Sequence, residues 1–212
     1  MELLIDTYHA PVDPAVPLVC FDEAGKELQA QIQAVLPMVP GHPVREDPEY
    51  ARNGSANLFM IYAPHLGWRA VTVTTRRTGA DWAFAMRDLV DVHFPAAERI
   101  VVVLDNLNTH RLSSLYLTFP AAEAHRIARK LDLRFTPVHG SWLNTAEGEL
   151  SVLSRQCLNR RVPDQATLER EVAAWAGSRN AVGAPGVWRF TVDEARTRLT
   201  SLYPIPTCDT SS

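Results

Sequence analysis

The chain has 212 residues, 46% of them hydrophobic and 21% charged, a size and balance that suit one compact domain with its own core. No stretch approaches the roughly 18 to 20 uninterrupted apolar residues of a membrane helix, and Glu2, Asp6 and His9 are unlike the start of a signal peptide, so a soluble cytoplasmic protein with no membrane partner is expected. Net charge is −3, but residues 1–60 hold nine acids against three bases, whereas residues 151–200 hold eight arginines against five acids. Cys20, Cys157 and Cys208 are far apart with no CxxC pair, which supports neither a disulfide framework nor a zinc ribbon.

Along the chain, Pro17 to Glu23 is a short apolar run that breaks into acids, the pattern of a buried strand opening at a surface. A polar connection marked by Pro37, Pro40, Pro43 and Pro48 follows, and Asn53-Gly54-Ser55 reads as a turn. Asn57 to Ala63 and Trp68 to Thr75 are β-rich and flank the turn chemistry of Pro64-His65-Leu66-Gly67, which predicts a hairpin. Asp81 to Val92 has helical spacing of its apolar residues, and Ile100 to Leu104 is unbroken and mostly β-branched, as in a strand covered on both faces. Pro120 to Leu131 is predicted helical, Leu133 to Val138 a short strand, and Asn144 to Leu158 and Gln165 to Arg179 helices, with a local break at Gly183 to Gly186. The order implies an α/β domain with a mixed five-stranded sheet flanked by helices, the ribonuclease-H-like fold, over residues 1–203, with 204–212 a disordered tail.

Three acids fall where such a fold delivers side chains to one edge. Asp22 closes the first predicted strand, Asp105 closes the Ile100 to Leu104 strand, and Glu147 sits in the first turn of the helix after His139-Gly140-Ser141-Trp142. Two carboxylates on neighbouring strand ends and a third from a helix can hold two Mg²⁺ or Mn²⁺ ions roughly 3.5 to 4 Å apart, which serves phosphodiester chemistry. Plain explanations stand beside this one: an Asp at a strand end is a common turn residue, and Asn144-x-x-Glu147 is a capping box. Glu149 competes as third acid, because with Ala146, Leu150, Leu153 and Cys157 as the buried stripe, Glu147 and Glu149 flank it on opposite sides. The residues alone leave these readings open.

Longer strings discriminate. Leu18 to Glu23, Leu36-Pro37-Met38, Asn53-Gly54 with Asn57-Leu58-Phe59, then Asp105-Asn106-Leu107-Asn108-Thr109-His110, Thr136 through Glu147, Leu150 to Leu153 and Arg155 to Arg161 resemble the DDE catalytic domain of mariner-superfamily transposases, in their bacterial insertion-sequence branch. The resemblance runs from about Asp6 to Tyr203. It implies Asp22, Asp105 and Glu147 as the metal-binding catalytic triad and Mg²⁺ or Mn²⁺, two ions, as cofactor, and so picks Glu147 over Glu149, which stays the alternative third acid or an auxiliary one. It also implies DNA (element ends and target) as substrate and a homodimer on DNA. Family members carry a helix-turn-helix module ahead of this domain, for which the stretch before Asp22 is too short, so this chain alone is expected to bind DNA weakly and with little sequence preference. The family generally has a longer hydrophobic residue where this chain has Gly148, and commonly Met where it has Thr145.

Around the triad, Asn106 and His110 are candidates to orient an acid or touch phosphate. His139 and Trp142, ahead of the Glu147 helix, and Arg155, Arg160 and Arg161, at and beyond its end, are candidates for DNA contact. The function expected is metal-dependent DNA cleavage and strand transfer, with a cleaving-only nuclease and an inactive accessory remnant as the alternatives. No GxxxxGK[ST] or GxGxxG string points to a nucleotide fold.

Overall fold

The computed structural model describes residues 1–32, 49–138, 140–183 and 185–203. Its five strands are β1 (Leu18–Gln31), β2 (Tyr50–Ala63), β3 (Trp68–Thr74), β4 (Ile100–Leu104) and β5 (Leu131–Phe135), and its helices are α1 (Glu2–His9), α2 (Gly79–Asp88), α3 (Leu112–Thr118), α4 (Ala121–Lys130), α5 (Thr145–Leu153), α6 (Gln165–Val182) and α7 (Val192–Arg198). The sheet runs β3-β2-β1-β4-β5. Its first two pairings are antiparallel and its last two parallel, the mixed ribonuclease-H-like sheet expected from the sequence.

Alternation along the strands splits the core in two. Leu18, Cys20, Met60, Tyr62, Val101 and Val103 face one side and pack with residues of α1, α5, α6 and α7. Val19, Phe21, Phe59, Ile61, Val102 and Leu104 face the other and pack with α2, α3 and α4. Every residue of β4 is buried, as its unbroken run implies for a strand covered on both faces.

Three expectations need correction. The first strand does not stop at Glu23: β1 continues to Gln31, held after Glu23 by its ladder with β2 while Leu28 alone is buried there, so polar composition conceals it. Asn53-Gly54-Ser55 is not a turn between elements but lies inside β2, where Asn53 and Gly54 oppose Leu28 in a bulge and Gly54 takes φ 86°. The strand expected at Leu133 to Val138 is β5, displaced two residues toward the N-terminus. The hairpin between β2 and β3 forms as expected, with Gly67 at φ 60°.

Helices α1, α3 and α7 carry no strong periodic signal, being seven or eight residues long. Thr191 and Glu194 do close a capping box at α7, a legible start signal that the sequence reading passed over. The helices expected at Asp81 to Val92 and Asn144 to Leu158 form as α2 and α5, each continued by a wider π-type turn, over Leu89–His93 and Ser154–Leu158. His139, the 33–48 connection, including Leu36-Pro37-Met38, and the 204–212 tail, including Cys208, lie outside the described residues. Among the described residues no helix is long and apolar enough to cross a membrane.

Candidate active site

Parallel register brings the two aspartates together. Leu18, Val19 and Cys20 of β1 pair with Val101, Val102 and Val103 of β4, so two residues further along the two chains stand Asp22 and Asp105. β4 has ended at Leu104, whereas β1 runs on beside β2 with Asp22 opposite Met60. Asp22 is therefore not at a strand terminus, as expected, but in the strand interior, at the level where its parallel neighbour stops. Alternation puts Asp22 on the side of Leu18 and Cys20, the side that packs against α5.

Helix α5 is docked on this same strand. Asn144, 2% exposed, accepts a hydrogen bond from the Ala146 N–H at 3.2 Å, and its Nδ2 donates to the Phe21 carbonyl at 2.8 Å, one residue before Asp22. Thr145 Oγ1 donates to Cys20 Sγ at 3.1 Å, and the Tyr8 hydroxyl donates to the Leu143 carbonyl at 2.6 Å. The Asn144 N–H goes to the Ser141 carbonyl at 2.7 Å, so Glu147 does not close the capping box that offered it an ordinary role. Glu147 is exposed, and its carboxylate makes no hydrogen bond or ion pair among the described residues. Replacing Asn144 by Ala removes the cap and leaves the buried Phe21 carbonyl without its donor, a loss of about 2 kcal/mol. Denaturant titration should read this loss, and a change below about 0.5 kcal/mol would remove Asn144 from the account.

Burial raises Asp22 to a pKa of about 6; the Glu23 N–H, which donates to its Oδ1 at 2.8 Å, opposes this, while the negative charges of Glu147, Asp105 and Glu23 add to it. One Asp105 oxygen lies 2.6 Å from His110 Nδ1, a short but poorly aligned ionic contact. His110 is fully buried, set edge-on to Phe21 at 5.3 Å, and its Nε2 lies 3.5 Å from Glu23. Burial works against the imidazolium, but Asp105 and Glu23 outweigh it and hold its pKa at about 9. That contact stabilises the fold fully below the ordinary 6.5 and is lost as pH rises through 9. Arg77 stands 3.8 Å from Glu23, which completes a chain Asp105, His110, Glu23, Arg77 that sequence reasoning missed apart from its first two members. The available signal was alternation: if Asp22 faces one side of the sheet, Glu23 faces the other.

Glu149 does not flank the buried stripe. α5 is rolled so that Ala146, Glu149 and Leu153 are buried and Leu150 only partly so, and Glu149 meets Arg69 at 2.8 Å and Arg179 at 2.7 Å. Asn106 is exposed in the loop after β4. Trp142 is 41% exposed, with one face stacked toward Trp188 at 6.1 Å and Phe190 edge-on at 5.5 Å. Arg155 donates to Ser151, Arg160 is paired with Glu171, and Arg161 lies over the Tyr50 ring at 5.4 Å. These arginines stand at the far end of α5 from Glu147, about 12 Å away at a rise of 1.5 Å per residue in the case of Arg155. At Gly148 a Cβ would meet nothing within 4 Å, so the family's larger side chain there would project into open space.

Among the described residues no three His, Cys, Asp or Glu side chains already stand close enough together to hold a metal ion. The donor set nevertheless fits a hard cation: oxygen ligands only, one of them a half-buried carboxylate made reluctant to ionise by burial and by three neighbouring negative charges, which a cation would reverse.

A family profile described as DDE superfamily endonuclease matches residues 17–169. Among solved structures, the catalytic domain of Mos1 mariner transposase superposes with a TM-score of 0.55 at 9% identity, over 86% of this chain and 82% of that one. The Mos1 mariner paired-end complex with Mn gives 0.55 at 13% identity, and the Mos1 strand transfer complex 0.54 at 13%, each over 86% of this chain. At such identities the likeness is one of fold. This chain spans 55% of the length of the protein in those two complexes. A search of curated proteins finds no significant match.

Proposed function

The chain belongs to the DDE superfamily endonuclease family, and on that premise we propose that residues 1–203 are the catalytic domain of a transposase that cleaves DNA at element ends and joins the freed 3′-hydroxyl to target DNA. The observation that carries this reading is the coincidence of Asp22 and Asp105 on adjacent strands, beneath a helix whose Glu147 is exposed and unengaged.

Asp22, Asp105 and Glu147 would hold Mg²⁺ or Mn²⁺, two ions, with Glu147 swinging from its exposed position toward the aspartates. Bound ions supply activation of water or a 3′-hydroxyl and stabilisation of the leaving oxygen. His110 restrains one oxygen of Asp105 and leaves the other for a ligand. Arg77 beside the site, together with Arg155, Arg160, Arg161, His139 and Trp142, is assigned to DNA, and a homodimer on paired ends belongs to the same reading, as do the bacterial insertion-sequence branch and a cytoplasmic location.

Gly148 and Thr145 do not favour an inactive remnant. Open space surrounds the first, and the second bonds to Cys20 on the strand that carries Asp22.

The test is an assay of supercoiled and element-end DNA with Mg²⁺, Mn²⁺ or excess chelator. Nicks bearing 3′-hydroxyls and joined products, both abolished by chelator, are expected; cleavage without joining would reduce the chain to a nuclease, and chelator-resistant cutting would remove the metal. Binding to duplex DNA should weaken steeply between 50 and 200 mM salt and differ little between a terminal repeat and a scrambled sequence. Tight, salt-resistant preference for the repeat would show direct sequence reading by this domain.

Ion uptake should also depend on pH. Asp22, at about 6, keeps a proton that the unfolded chain releases near 3.8, so without metal its ionisation costs stability as pH rises across that window. Mn²⁺ must displace that proton, so affinity should climb between pH 5 and 6.5 and level off above. Calorimetric titration at four pH values would measure it, and a flat profile in that range would remove Asp22 from the ion site.

A further inference from the structure

The only fully buried arginine among the described residues lies against the helix that carries Glu147. Arg69 projects from edge strand β3 to the α5 side of the sheet, its side chain 0% exposed. Its Nε contacts Glu149 at 2.8 Å, and Glu149 also receives Arg179 of α6 through Nε at 2.7 Å and Nη2 at 3.3 Å. Asn180, next on α6, accepts from the Arg69 N–H at 2.9 Å and donates to the Arg69 carbonyl at 2.8 Å, sealing the exposed edge of the strand. The Arg69 guanidinium also lies over the Tyr62 ring at 5.4 Å.

Burial of this kind is a poor source of stability, because an ion pair removed from water roughly breaks even against apolar side chains of the same volume. What it supplies is direction. Glu149 follows Glu147 by two residues, about 200° around the helix, so fixing Glu149 inward fixes Glu147 outward. Gly148, between them, lowers the intrinsic rigidity of that turn. The N-terminal bonds of Asn144 and Thr145 set the height of α5 on β1; its rotation needs a restraint on the opposite side, and Glu149 is the polar side chain of α5 that is buried there.

We propose that Arg69, Glu149 and Arg179 are positioning residues that set the rotation of α5 and thereby hold Glu147 where it can close on the aspartates. This rests on the assignment of Glu147 as the third acid.

The test replaces Arg69 by Met and Glu149 by Leu together, which removes both buried charges while leaving the Asn180 bonds to the strand backbone. Cooperative unfolding near the wild-type midpoint is expected, with Mn²⁺ affinity about tenfold weaker and DNA nicking reduced at least as much. A folded double variant with wild-type Mn²⁺ affinity overturns the proposal. Should that variant fail to unfold cooperatively, Arg179→Gln decides, since it leaves the Arg69 contact in place: a smaller but measurable loss of Mn²⁺ affinity supports positioning, and none overturns it. Asp22→Asn in the otherwise wild-type chain separates the two levels, because unchanged Mn²⁺ affinity there overturns the metal assignment itself and this inference with it.

Discussion

Asp22→Asn, Asp105→Asn and Glu147→Gln each lower metal-dependent DNA nicking by more than about 100-fold, since loss of a direct ligand exceeds the 10 to 100-fold cost of losing a group that only supports one. The three variants should differ in stability. Asn at position 22 keeps the oxygen that accepts the Glu23 N–H and discards a charge that burial, Glu147 and Asp105 all disfavour, so its unfolding midpoint at pH 7 rises. Gln at 147 changes an exposed side chain and relieves only its repulsion of Asp22, so its midpoint rises less than that of Asp22→Asn. Asn at 105 takes the negative charge from beside His110 and lowers the midpoint. Nicking assays and thermal melts on the same preparations would check both halves. Full activity in all three variants would sink the assignment, and equal midpoints would contradict the electrostatics.

Glu149→Gln carries the largest expected stability loss, about 3 to 5 kcal/mol, because it leaves the Arg69 guanidinium buried without its counter-charge. For a domain of this size that corresponds to a fall in Tm of about 10 °C. The loss is large against a typical total stability of about 5 to 15 kcal/mol. Tm and denaturant midpoint measure it directly. A fall below about 1 kcal/mol would mean that water reaches Arg69 and that the network is not the dry contact described above.

What could be read from the chain is what local chemistry decides. Ile100 to Leu104 can only be a strand covered on both faces, and Asp105 must then stand at its end. Asn144 before Thr145 starts a helix, and Glu147 must then lie in its first turn. The long strings around these residues identified the family, which the profile match over residues 17–169 bears out.

Other features have no local cause. The extension of β1 past Asp22 depends on a ladder with β2, whose partner residues lie from 36 positions away at Glu23 and Phe59 to 19 at Gln31 and Tyr50, across the 33–48 connection, so a polar run with one buried side chain became strand. Which acid of α5 faces inward was undecidable from helical spacing, because Glu147 and Glu149 are symmetric about the apolar stripe. Arg69, eighty residues earlier in the chain, broke the symmetry by offering Glu149 a buried positive charge. His110 and Glu23 meet for the same reason, brought into contact across the sheet by the parallel register of β1 and β4. Sequence determined the fold class and the family and supplied the candidate acids, because propensity, periodicity and cap chemistry act over a few residues. Tertiary structure decided their orientation and partners, because a buried charge is satisfied only by whatever group the packing of distant elements brings within about 3 Å.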